Sequence, residues 1–118
     1  MPESRSPSER LPLTSATFYV LVALADDERH GYSIIKAVAD LTSGEVELGT
    51  GTLYGIIKRL LADGLVVESH RRPPAADDDE RRRYYRLTPF GRDVVAAEAA
   101  RLQQMIVAAK ATGAMRKA

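Results

Sequence analysis

Two groups of residues in this chain have the types and spacing to hold an anion. Gly51-Thr52-Leu53-Tyr54 is followed at helical spacing by Lys58 and Arg59, and Arg81-Arg82-Arg83 runs into Tyr84-Tyr85-Arg86. Ammonium and guanidinium groups pair with phosphate, Thr and Tyr hydroxyls add donors, and glycine lets a backbone approach closely. Such a set suits a surface that meets a nucleic-acid backbone. Seventeen Lys and Arg against sixteen Asp and Glu leave a net charge of only +1. Eight of those seventeen cations lie between Lys58 and Arg86, so the positive character is local.

Other chemistries find little support. With no cysteine and only His30 and His70, disulfides, thiolate zinc sites and thiol nucleophiles are excluded and a zinc site is not expected. His30 reads as a hydrogen-bonding residue at a helix start, and His70 as exposed. Gly49-x-Gly51-x-x-x-Gly55 misses the dinucleotide spacing because Tyr54 stands at the third glycine position, and no Gly-Lys-Thr phosphate loop is present. The acidic run Asp77-Asp78-Asp79-Glu80 lacks the spaced ligands of a calcium loop and reads as a solvated tip. Neither an enzyme nor a cofactor or metal is expected. No segment reaches the roughly 20 apolar residues of a membrane span, and the polar start is unlike a signal peptide, so a cytoplasmic protein is expected.

The elements that must position these residues follow from periodicity. Residues 1–10, rich in Ser, Pro and charge, read as a flexible arm. Thr14 caps a first helix carrying Phe18, Leu21, Val22 and Ala25; a second starts at His30-Gly31-Tyr32, carries Ile34, Ile35, Val38 and Leu41, and stops at Gly44. Residues 45–48 alternate like a short strand. Thr50 is the expected cap of a third helix over residues 51–63, with Leu53, Ile56, Ile57, Leu60 and Leu61 inward, Thr52, Gly55, Lys58 and Arg59 outward, and Gly64 closing it. Residues 65–69 and 82–87 make a hairpin. Strand alternation puts Arg83 and Tyr85 on one face, Tyr84 and Arg86 on the other. Thr88-Pro89 then starts a long helix to about residue 112, and residues 113–118 form a tail.

The order helix, helix, strand, helix, hairpin, long helix describes a mainly α fold with a small β-wing. This is an α+β winged helix-turn-helix over residues 11–88, plus a C-terminal dimerisation helix over residues 89–112. Val95, Leu102, Met105 and Ala109 recur near heptad spacing, with Ile106 beside them, on a helix too long for so small a domain to cover. Glu98 interrupts that seam. A compact homodimer interface that also uses the first helix around Phe18 and Tyr19 is therefore expected.

His30-Gly31-Tyr32, Gly51-Thr52-Leu53-Tyr54 with Lys58-Arg59-Leu60, Gly64-Leu65, and Arg83-Tyr84-Tyr85-Arg86-Leu87-Thr88 with Gly91 together resemble the PadR family of transcriptional regulators. The single C-terminal helix resembles its small subfamily. The resemblance implies a homodimeric DNA-binding repressor. Two departures stand out: Thr50 where the family often has Pro, which starts the same helix by a different route, and the acidic wing tip, which bears on wing contacts.

The expected partner is double-stranded DNA, read as a palindromic operator. The third helix would enter the major groove through Thr50, Gly51, Thr52, Tyr54, Lys58 and Arg59, with Arg82, Arg83 and Tyr85 of the wing near the phosphates. A small-molecule effector of unidentified chemistry at the dimer interface belongs to the same expectation. The alternative is a winged-helix protein-interaction module without DNA binding, which the near-neutral charge and acidic tip allow.

Overall fold

A computed structural model of the chain describes residues 6–69 and 83–115. Thr14 opens α1 (Ser15–Ala23), its hydroxyl accepting from the Thr17 amide at 3.1 Å and satisfying a donor that the helix leaves unpaired. His30 opens α2 (Gly31–Leu41) in the same way, its Nδ1 accepting from the Ser33 amide at 3.2 Å. α3 (Thr50–Ala62) begins one residue earlier than its sequence signal. The Gly49 carbonyl takes the first helical bond from the Leu53 amide at 2.9 Å, so Gly49 is the N-cap and Thr50 the first helical residue. α3 ends at Gly64, whose φ of +78° lets the Leu65 amide return to the Leu60 carbonyl at 2.9 Å.

The strand expected over residues 45–48 does not form. The Thr42 hydroxyl accepts the Val46 amide at 3.0 Å, and Val46 and Leu48 pack half-buried on the core. The sheet instead recruits β1 (Arg29–His30), beside the hairpin strands β2 (Val66–Ser69) and β3 (Tyr84–Leu87), in the order β1-β3-β2. All pairings are antiparallel, with Arg29 opposite Tyr85 and His30 opposite Tyr84 on one side, and Val66 opposite Leu87 and Glu68 opposite Tyr85 on the other. The His30 ring meets Tyr84 edge-on, centroids 5.2 Å apart.

α4 (Pro89–Ala111) starts as read: the Thr88 hydroxyl accepts the Gly91 amide at 2.9 Å, and Pro89 takes the first turn. That hydroxyl also donates to the Gly64 carbonyl at 2.6 Å, while the Thr88 amide donates to the Leu65 carbonyl at 3.0 Å. A Cβ on Gly91 would run into the Leu65 carbonyl oxygen and lie 3.0 Å from its carbon. Gly64-Leu65 and Thr88-x-x-Gly91 are thus the two halves of one joint between the end of α3 and the start of α4.

The core gathers Val20, Leu21 and Leu24 from α1 and its end, Ile34 and Val38 from α2, Leu53 and Ile57 from α3, Leu65 and Val66, and Val94 from α4, all at most 2% exposed. On α1 this differs from the expected stripe: Phe18 and Val22 are only half-buried, because α1 packs against both α2 and α4. Leu61, expected inward, is 39% exposed at the far edge of α3.

Within the expected N-terminal arm, Pro7–Arg10 forms a 3-10 turn packed against α4. The segment after it is pinned by the Glu98 carboxylate, which accepts the Leu13 amide at 2.9 Å. Residues 1–5 and 116–118 of the expected arm and tail lie outside the described residues.

Candidate nucleic-acid interface

α3 is divided lengthwise. Leu53, Ile56, Ile57 and Leu60 are buried, whereas Thr50, Gly51, Thr52, Tyr54, Lys58 and Arg59 are exposed. The two sets follow from a 3.6-residue period with the apolar positions three and four apart. One helix face therefore presents a free N-terminus, two hydroxyl-bearing threonines, a phenol and two cations to solvent.

Tyr54 is held by a neighbouring helix. It is 45% exposed, and its ring lies over Gly31, where an added Cβ would come 2.8 Å from Tyr54 Cζ and closer still to the hydroxyl. The absence of a side chain at Gly31 makes the seat for this phenol. The residue after it, Tyr32, is the most exposed of the large hydrophobics at 69%, and Lys36 is exposed one turn further along α2. Sequence reading passed over this pair although the signal was there: a polar aromatic and a lysine at positions i and i+4, beside an inward Ile34 and Val38.

Arg29 fixes the start of α2. Its guanidinium donates to the Ala23 carbonyl at 2.7 Å through Nε and to Ser33 Oγ at 3.1 Å, and pairs with Asp26 at 3.2 Å. It ties the end of α1 to the first turn of α2, and so locates the Gly31 seat.

The wing divides differently from its expected reading. Tyr85, expected at the wing's contact surface, is 4% exposed and belongs to the core with Leu87, so its ring is buried rather than presented to solvent. Burial holds its phenol above the ordinary value, helped by nearby Tyr54 and Glu68 and opposed by Arg83. Arg83 and Arg86 are exposed. The Arg83 side chain is 70% exposed and pairs loosely with Glu68 at 3.4 Å, an arrangement worth about 0–1 kcal/mol that a phosphate can replace. Arg81, Arg82, His70 and the acidic tip Asp77 to Glu80 lie outside the described residues.

The residues expected at a dimer interface fall into two groups. Phe18, Tyr19 and Val95 are half-buried, the two rings 6.3 Å apart, with Tyr19 and Val95 packed on the core. Further along α4, Leu102 and Ala109 are half-buried, Met105 is 56% and Ile106 42% exposed, with Val107 at 47% beside them. Between the groups sits Glu98, 1% exposed and the one buried charged residue among those described. Besides the Leu13 amide it binds Arg101 at 2.5 and 3.0 Å. The Arg101 hydrogen bond holds the carboxyl below its usual range, with the Leu13 bond assisting and burial opposing. The interruption in the heptad pattern is therefore a residue turned toward the N-terminal segment.

Among the described residues no group of His, Cys, Asp and Glu could hold a metal, and no helix is long and apolar enough to cross a membrane.

Residues 20–97 match the transcriptional regulator PadR-like family. Among solved structures, a PadR family transcription regulator from Clostridium difficile is similar with a TM-score of 0.69 at 21% identity, over 84% of this chain and 98% of that one. BpsR of Bordetella bronchiseptica, from a structure on the regulation of its DNA binding by 6-hydroxynicotinic acid, is 31% identical with a TM-score of 0.61, over 85% of this chain and 69% of that one. Bacillus subtilis PadR in complex with operator DNA is similar with a TM-score of 0.59 at 18% identity, over 71% and 46%. No curated protein matches the chain.

Proposed function

The chain belongs to the PadR-like family of transcriptional regulators, and from that premise we propose that it acts as a homodimeric repressor that binds a palindromic operator through α3 and the wing. The observation that carries this reading is the divided α3: a polar, cationic face with an uncovered N-terminus, set on an apolar face locked into the core. In the complex, α3 lies in the major groove with Gly51 and Thr52 at the phosphate-attracting end. Tyr54 donates its hydroxyl to the backbone, and Lys58 and Arg59 reach phosphates or a guanine edge. Tyr32 and Lys36 extend the contact along the strand. Arg83, with Arg82, meets phosphate beside the minor groove.

The same reading assigns the apolar outer half of α4 to a second copy. A symmetric pair would set two recognition helices about one helical turn of DNA apart, and repression follows from occupying the promoter.

The test is fluorescence anisotropy of a labelled duplex from the region upstream of the gene, titrated at several salt concentrations against a scrambled competitor. Saturable, sequence-preferring binding whose logarithm falls linearly with the logarithm of salt is the expected result. Binding indifferent to sequence, both here and in selection from a random duplex pool, overturns it and favours the protein-interaction module.

A further inference from the structure

α4 is fastened to the rest of the chain near its base. The Thr88 cap, Gly91 and Val94 all lie within its first two turns, and of its residues only Gly91, Val94 and Glu98 are buried. Past Glu98 the helix runs on to Ala111 with no buried residue. Glu98 is therefore the last anchor before the half of α4 that meets solvent, and it is an anchor of an unusual kind.

Burial alone would be served as well by leucine, since the attraction within a buried ion pair offsets its desolvation only in part. What an apolar contact does not supply is direction: helices packed through apolar ridges scatter by roughly 15–20° in crossing angle. The Glu98 carboxylate is held in one plane by Arg101, whose Nε and Nη2 donate to its two oxygens at 2.5 and 3.0 Å. Its Oε2 also accepts the Leu13 amide at 2.9 Å. Both ends of this bonded group lead onward. Leu13 packs on the core and shares the lining of one small cavity with Ile56 and Leu60 of α3. Arg101 Nη1 donates to Met105 Sδ at 3.3 Å, on the exposed half of α4. One line of contacts thus runs from α3 through the N-terminal segment to the outer face of α4.

We propose that Glu98 is a positioning residue for operator binding: by tying the Leu13 backbone to Arg101 it fixes the angle between the head and α4, and with it the separation of the two α3 helices in a dimer. This rests on the reading of α4 as the dimer helix. Recognition helices about 34 Å apart each stand roughly 17 Å from the two-fold axis. A swing of roughly 15° there moves a recognition helix by about 4 Å, more than one base step of roughly 3.4 Å.

In a chain without cysteine, Thr52→Cys on α3 takes a single nitroxide label, and dipolar electron resonance between two copies reads the α3 separation with no DNA present. One narrow separation is expected with Glu98 in place. Glu98→Leu should make the distribution about twice as wide or shift it by more than about 4 Å, the swing that undirected packing allows. Glu98→Gln, which keeps an acceptor for the Leu13 amide, should stay narrower than Glu98→Leu. Arg101→Ala, made at a side chain 38% exposed, should broaden the distribution too, and it carries the test should the leucine variant lose its melting transition. A lack of dipolar signal with Glu98 in place overturns the dimer reading and this role with it. A signal whose width and centre are unchanged in folded Glu98→Leu or Arg101→Ala, or a Glu98→Gln distribution as wide as that of Glu98→Leu, overturns the positioning role alone. On DNA, moving the half-sites apart by one base pair should weaken wild-type binding about tenfold or more and Glu98→Leu binding by less; equal losses likewise overturn the role.

Discussion

On the proposed reading, the contact between Gly31 and Tyr54 makes DNA binding by α3 depend on a buried residue of α2, and Gly31→Ala isolates that dependence. The new Cβ would stand 2.8 Å from Tyr54 Cζ, against about 3.5–4.0 Å for an ordinary carbon contact. The ring must retreat by on the order of 1 Å. It can do so, since it is nearly half exposed and only side-chain atoms of Tyr54 lie in the way. Overpacking of roughly 1 kcal/mol is offset by up to about 1 kcal/mol of improved helix propensity. The melting temperature should therefore change little. The hydroxyl, however, leaves its position, and a hydrogen bond to a charged acceptor is worth about 1.5–3 kcal/mol. Operator affinity should fall roughly ten- to a hundredfold. Tyr54→Phe should lose a similar amount, and the double variant no more than the larger single loss, because both remove one contact. Anisotropy titrations at fixed salt measure the cycle. Wild-type affinity in Gly31→Ala, or losses that multiply in the double variant, would refute the argument.

Gly91→Ala should behave in the opposite way, since its Cβ meets the Leu65 backbone rather than a mobile ring: a cost of about 1–3 kcal/mol, seen as a melting point lower by roughly 4 °C per kcal/mol. Lys58→Ala should weaken binding to every duplex alike and reduce the salt slope by about 0.9, and Arg82→Ala with Arg83→Ala by up to about twice that; an unchanged slope removes the residues from the interface. Met105→Glu on the exposed half of α4 should turn a sedimenting dimer into a monomer, and a sedimentation profile like the wild type's would clear that face. Glu98→Gln removes the charge that Arg101 stabilises. Because the folded carboxyl titrates below its usual range, its contribution is present above about pH 4.3, the unfolded value, and fades as pH falls through the lowered one. The variant should be less stable at pH 7 by about 1–3 kcal/mol, and the difference should close in acid; a constant gap across thermal melts from pH 7 to pH 2 would contradict the assignment.

What could be read from the sequence, and what could not, divides along a physical line. Signals that act within one turn of chain were legible: Thr14, His30 and Thr88 cap the helices expected of them, and Gly44 and Gly64 stop α2 and α3. The face of α3 was legible too, apart from Leu61 at its edge, because that helix has one apolar side. α1 was not, since a helix packed on two sides has no single stripe to find. The strand placement failed at residues 45–48 because alternation shows only that a segment can pair. The two-residue β1 carries no periodicity at all and exists because Arg29 and His30 are delivered to the edge of β3. Tyr85 was misplaced for a related reason: alternation sorts a strand into two faces without saying which meets the body.

The separated motifs look different once the contacts are known. Gly31 and Tyr54 are one contact, Gly64-Leu65 and Thr88-x-x-Gly91 one joint, and His30 with Tyr84 one ring pair. Residues that read as independent signatures are halves of the junctions that set α2, α3, the wing and α4 at fixed angles to one another. Junctions of this kind constrain the sequence more tightly than a groove surface does. A Cβ on Gly91 meets the Leu65 backbone and one on Gly31 displaces the Tyr54 ring, whereas on the proposed reading Lys58 or Arg59 could exchange with another donor and still meet phosphate. The motifs therefore specify the frame that aims α3. On the proposed reading, exposed residues such as Thr52, Lys58, Tyr32 and Lys36 are where regulators sharing this frame would diverge in the operators they read.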